Sequence, residues 1–108
     1  SRMNLNETHT IKVNGVKYQL ANTLNTRKEL CLKMGGIRPA LEAVSQLNEY
    51  AMAQVIAIAA GKRKVDPIFE NVFAEGAISV ATQLGTWASS LVETDDDDEG
   101  NDKAVKAA

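Results

Sequence analysis

Side chains able to do chemistry are few in this chain and far apart. His9 is its only histidine and Cys31 its only cysteine. A zinc site wants three or four nitrogen and sulfur ligands, so neither residue has the company a metal needs. A Cys31–His9 nucleophilic pair lacks any spacing signature. His9 therefore reads as an ordinary strand residue, and Cys31 as a small hydrophobe packed on the apolar face of a helix. "KMGGIRP" lacks the G-x-x-x-x-G-K-[ST] frame of a phosphate loop, and its glycines follow a helical pattern, so they read as a helix stop. "DDDDE" lacks the glycine turn and terminal glutamate of a calcium loop. With no paired carboxylates in a recognisable frame, the usual catalytic roles stay unfilled. The expectation is a protein that is not an enzyme and carries no cofactor and no metal.

The charges are unevenly placed. Residues 1–92 hold ten basic and seven acidic side chains, a charge of +3. Residues 93–108 hold seven acids and two lysines, a charge of −5. The body is mildly basic and the tail strongly acidic. "GKRK" places Lys62, Arg63 and Lys64 side by side, which is a solvated loop or a small basic contact. Nucleic-acid binding calls for a larger basic footprint, and the acidic tail opposes it. The unpaired cysteine makes a reducing compartment the simpler reading. No apolar run approaches the roughly 20 residues of a membrane span, and no secretory signal precedes the fold. Ser1-Arg2 ahead of Met3 has the look of a cloning remnant.

These residues need elements to hold them. At 108 residues the chain is long enough for one domain, and with only 5% aromatics its core must come from Ala, Leu, Ile and Val. "TIKVNGVKYQL" puts Asn14-Gly15 between two alternating runs, the signature of a two-residue hairpin. Pairing outward from the turn sets Val13 opposite Val16, Ile11 opposite Tyr18 and His9 opposite Leu20, all on one face. A lone hairpin is marginal in water, so that face must lie on helices. Thr26 and Glu29 match a capping box, with Leu30, Cys31 and Met34 on one side of a short helix and Gly35-Gly36 as its stop.

A second helix is expected from Pro39 towards Gly61, with a seam of Ala40, Val44, Leu47, Ala51, Val55 and Ile58 and room for a break near Asn48. Its latter half, "AMAQVIAIAA", is apolar nearly all round, so it is either central in the core or covered by another molecule. Asp66-Pro67 opens a further helix, with Asp66 as its N-cap. Its stripe comprises Phe69, Val72, Phe73, Val80, Leu84, Trp87 and Leu91. Gly76 and Gly85 within it mean either close backbone approach or slack. From Glu93 the hydrophobic period ends, and disorder is expected. The chain thus reads as mainly α: a flexible start over 1–8, a β-hairpin with three or four packed helices over 9–92, and a disordered acidic tail over 93–108.

The order of these parts resembles a known family. "HTIKVNGVKYQLANTLNTRKELCLKMGG" is similar to the opening of the tail assembly chaperones of long-tailed bacteriophages, where a hairpin of the form I-x-V-N-G-x-x-Y-x-L precedes a helix ending in Gly. "IRPALEAV" and "MAQVIAIAAGKRKVDPIFENVF" look like their apolar helices, so the resemblance spans about residues 9–92. It implies a late protein of the host cytoplasm that holds the tape measure protein while tail tube subunits assemble around it. Such a protein self-associates into a homo-oligomer, touches tail tube subunits as a further contact, and is absent from the mature virion. It also implies the shorter of two forms made by a ribosomal frameshift. The runner-up is a minor structural component of the phage tail, and behind it a small nucleic-acid-binding regulator working through Lys62, Arg63 and Lys64.

The residues themselves point to apolar contact. Ala51–Ala60 and the Phe69–Trp87 stripe offer more apolar surface than so short a chain should easily bury. Tyr50, Ile56, Phe69, Phe73 and Trp87 are the candidate contacts with a client or a second copy, with core packing the expected fate of Phe69, Phe73 and Trp87. The aspartates would then keep a sticky body apart from its copies by charge repulsion. Deleting residues 93–108 is expected to lower solubility and steepen its dependence on salt.

Overall fold

A computed structural model describes the backbone of residues 8–97 and the side chains of residues 8–91. Strands β1 (Thr8–Val13) and β2 (Val16–Ala21) pair antiparallel in the expected register, Val13 with Val16, Ile11 with Tyr18 and His9 with Leu20. Asn14 and Gly15 both take positive φ, 53° and 80°, as the tight turn requires. Ile11, Val13, Tyr18 and Leu20 are buried, while Thr10, Lys12, Lys17 and Gln19 face out. Val16, beside the turn, departs from its face and is exposed.

Five helices follow: α1 (Leu24–Met34), α2 (Ile37–Ser45), α3 (Glu49–Ala60), α4 (Asp66–Glu75) and α5 (Ala77–Asp97). The extra helices come from two breaks inside patterns that read as longer ones. Leu47 takes φ 62°, which an α-helix cannot contain, and Asn48 then caps α3 by accepting from the Ala51 N–H. Leu47 is exposed in consequence, although the seam placed it inside. Gly76, at φ 104° and ψ 135°, separates α4 from α5.

Several boundaries move by a turn or less. Thr23, not Thr26, caps α1: its hydroxyl accepts from the Thr26 N–H at 3.2 Å, and the buried Thr26 hydroxyl pairs with it at 3.1 Å. Leu30 is buried as expected, but Cys31 lies outside. One residue on from Leu30 is a rotation of about 100°, enough to carry it off the core face. Helix α2 starts at Ile37, ahead of Pro39. Asp66 is the first helical residue of α4, and Val65 holds the cap position. Helix α5 continues to Asp97, past the expected boundary at 92. The remainder of the expected acidic tail, and all of the expected flexible start except Thr8, fall outside the described residues.

Helix α3 resolves the choice its composition posed. Ala51, Met52, Ala53, Val55, Ile56, Ala57 and Ala59 are all buried, so the chain covers this helix itself. The hairpin lies on one side of it and α4 on another. Helix α5 closes the core with Val80, Leu84, Trp87 and Leu91.

Polar contacts fix α5 against the hairpin. The Gln83 side-chain amide accepts from the Lys12 N–H at 2.9 Å and donates to the Lys12 carbonyl at 3.0 Å, so it pairs with the edge of β1 as a strand would. Trp87 Nε1 donates to the Ala21 carbonyl at 3.1 Å, and Asn22 and Arg27 donate to the carbonyls of Ser90 and Leu91. Helix α5 therefore runs in the same sense as β2.

The two questioned glycines differ in kind. Gly76 sits where a side chain is strained, so Gly76→Ala should cost about 1–3 kcal/mol. Gly85 is helical, with open space where a Cβ would stand, so Gly85→Ala should gain about 0.5–1 kcal/mol. Urea unfolding of the two variants checks the opposite signs. A gain at Gly76 or a loss at Gly85 would contradict the assignment made there.

Candidate partner-binding surface

The five candidate contact residues divide by the face of the helix that carries them. The core-facing positions of α4 are Ile68 and Val72, both buried.

 Phe69 and Phe73 fall one turn apart on α4, Phe69 half-buried against the core and Phe73 71% exposed. Tyr50, in the first turn of α3, meets Phe69 edge to face, with ring centroids 5.4 Å apart and planes at 60°. Its hydroxyl donates to Asp66 Oδ1 at 3.1 Å. That bond to an anion raises the Tyr50 pKa, since losing the proton would set two negative charges together. Tyr50, Phe69 and Phe73 thus form one aromatic ridge along α4 and the start of α3.

Ile56 and Trp87 do not join it. Ile56 is fully buried in α3 and Trp87 is 1% exposed in α5, so neither can touch a partner of the folded chain. Their burial removes both from the candidate contacts: it corrects the assignment of Ile56, and for Trp87 it is the core packing that was expected. It also corrects the wider expectation that Ala51–Ala60 carries more apolar area than the chain can cover. What is left outside is smaller and lies elsewhere.

Sequence reasoning missed part of that remainder. Ile78, two residues into α5 after the Gly76 break, is 71% exposed. Leu24 and Leu32 lie outside on α1, two turns apart, with the exposed Cys31 beside Leu32. The signal was available for α1: Leu24, Lys28 and Leu32 repeat at steps of four, on a different face from Leu30. For Ile78 no local signal existed, because its direction depends on the break before it.

His9 is half-buried in β1, and Cys31 is exposed on α1. Among the described residues no three His, Cys, Asp or Glu side chains gather as metal ligands would. Lys62, Arg63 and Lys64 follow the left-handed cap at Gly61 and are exposed. No helix among the described residues is long and apolar enough to cross a membrane.

One carboxylate does have a defined structural task. Glu75 Oε1 accepts from the Asn14 N–H at 2.8 Å and Oε2 from the Ser79 hydroxyl at 2.7 Å, tying the hairpin turn to the α4–α5 junction. The Asn14 N–H, then the Ser79 hydroxyl, hold its pKa below the ordinary 4.5. A lowered carboxylate stabilises the fold fully above its unfolded value, and that contribution is lost as pH falls through the folded value. Glu75→Gln should therefore flatten the loss of thermal stability below about pH 4.5. Melting curves across that range check it, and an unchanged acid slope would contradict it.

Comparison with models of known protein families, with curated proteins and with solved structures finds no match to this chain.

Proposed function

We propose that this chain is a tail assembly chaperone of a long-tailed bacteriophage, which holds the tape measure protein while tail tube subunits assemble around it. The observation that carries the reading is the ridge of Tyr50, Phe69 and Phe73, anchored on the core by the half-buried Phe69 and exposed at Tyr50 and Phe73. A chain with a finished core has no need of the Tyr50 and Phe73 rings for its own burial, and exposed aromatics are the side chains that most often dominate a protein contact. A long helical client offers apolar stripes of the matching kind, and helix-on-helix contact would cover both. The resemblance of residues 9–92 to that family supplies the client's identity. The chaperone works in the host cytoplasm and leaves before the particle is complete.

Co-expression with a tape measure protein followed by pull-down tests the claim. A complex is expected, and no complex would count against it. Mass spectrometry of purified virions separates a chaperone from a minor tail component, since the chaperone should be missing from the particle.

A further inference from the structure

A concave surface lies at the start of α4. An open groove of about 570 Å³ runs between the hairpin and the loop that joins α3 to α4. Val16, Tyr18, Pro67 and Ile68 give it an apolar lining, and Lys62, Arg63 and Lys64 give it three cations. None of the three makes an ion pair among the described residues. Lys17 adds a fourth cation nearby, since it shares an adjoining cavity with Lys62. The groove is therefore built for a chain segment that is strongly acidic.

The sequence holds one such segment, from Glu93 to Glu99, with six acids in seven residues. Helix α5 ends at Asp97 without a basic residue in its last turn. Acids there stand at the negative end of the helix dipole, where a cation from outside is favoured. We propose that the groove takes the acidic segment 93–99 of a second copy of this chain.

Reach decides for a second copy. The Leu91 carbonyl is held by Arg27 Nη2 at 2.7 Å, and Trp87 by Ala21, both at the end of β2 far from the turn. The groove lies at Val16 and Tyr18, roughly 10–17 Å back along the strand at about 3.3 Å per residue. Helix α5 carries the acids about 9 Å onward from Leu91 to Asp97, away from the groove. A chain's own segment could turn back only by unwinding the end of α5, whereas a neighbour's groove can meet that end directly. Such a contact joins different surfaces of the two copies, so it builds a ring or an open chain. In free chains, tail still repels tail.

This inference rests on charge and reach and does not depend on the client reading. Sedimentation of the full chain tests it, with two charge-reversed forms, K62E/R63E/K64E and D95K/D96K/D97K/D98K. The parent should assemble at low salt, and its self-association should weaken at least about tenfold near 1 M salt, where charges are screened within about 3 Å. Each reversed form alone should stay monomeric, and an equal mixture should assemble again, since each form then finds a complementary partner. A parent that is monomeric throughout, a reversed form that assembles like the parent, or a mixture that stays monomeric would overturn the proposal. So would a synthetic peptide of residues 91–102 that binds the groove of a chain which never self-associates, because the occupant would then be some other acidic segment. Client capture by a monomeric reversed form would leave the proposed function standing.

Discussion

Trp87→Ala is expected to lower the stability of the fold by about 3–5 kcal/mol, the usual cost of truncating a buried tryptophan. The indole is 1% exposed and lies in the one cluster that joins the hairpin to α3 and α5. Its Nε1–H is also the donor to the Ala21 carbonyl, so the truncation leaves that acceptor without its bond. For a domain of this size the total stability is about 5–15 kcal/mol, so the loss takes at least about a fifth of it. Thermal unfolding should fall by on the order of 15 °C or more. Trp87→Phe keeps most of the burial and loses the hydrogen bond, and should cost less, about 1–3 kcal/mol. Equal melting temperatures for all three chains would show that Trp87 is not where the fold places it.

Phe73→Ala should do the reverse. The ring is 71% exposed, so removing it should change stability by no more than about 0.5 kcal/mol. If the ridge holds a helical client, the same change removes its most exposed aromatic. A contact residue of that kind is worth about 2 kcal/mol, which weakens client binding about thirtyfold. Titration of the variant with a helical fragment of the client would measure the ratio. Comparable affinities for the variant and the parent would remove Phe73 from the interface. The two predictions pull apart stability and binding along a single stretch that the hydrophobic pattern had joined.

The contrast between Trp87 and Phe73 shows what a one-dimensional pattern can carry. The hairpin was legible because its determinants are local: Asn14-Gly15 sets the turn, and strict alternation then sets the register and the buried face. The two helix breaks were harder. Asn48 signalled one of them, but nothing near Leu47 announces a positive φ in a leucine, where the Leu47 and Asn48 N–H groups turn back to the Val44 and Ala43 carbonyls at 2.9 and 3.0 Å. At Gly76 the residue type admits either a stop or a tolerated weak point, and Gly85, a glycine in the same pattern, turned out the other way.

The candidate site suffered from the same loss of phase. A continuous helix would have put Phe69, Phe73 and Trp87 on one stripe. With the break at Gly76, α4 packs through Ile68 and Val72 with Phe69 at their flank, and Phe73 turns outward. For α3, composition could say that every side was apolar but not which neighbours would cover it. Ile56 was therefore indistinguishable from a contact residue until the hairpin, α4 and α5 were in place around it. The Tyr50–Phe69 contact brings together residues from separate helices, and it has no counterpart in local spacing.

The most direct measurement is the amount of tape measure protein kept in the soluble fraction on co-expression with the parent chain and with Phe73→Asp. The parent is expected to keep it soluble, and the variant to lose it while melting within a few degrees of the parent. Equal rescue by both chains, or rescue by neither, would contradict a client-binding ridge at Tyr50, Phe69 and Phe73.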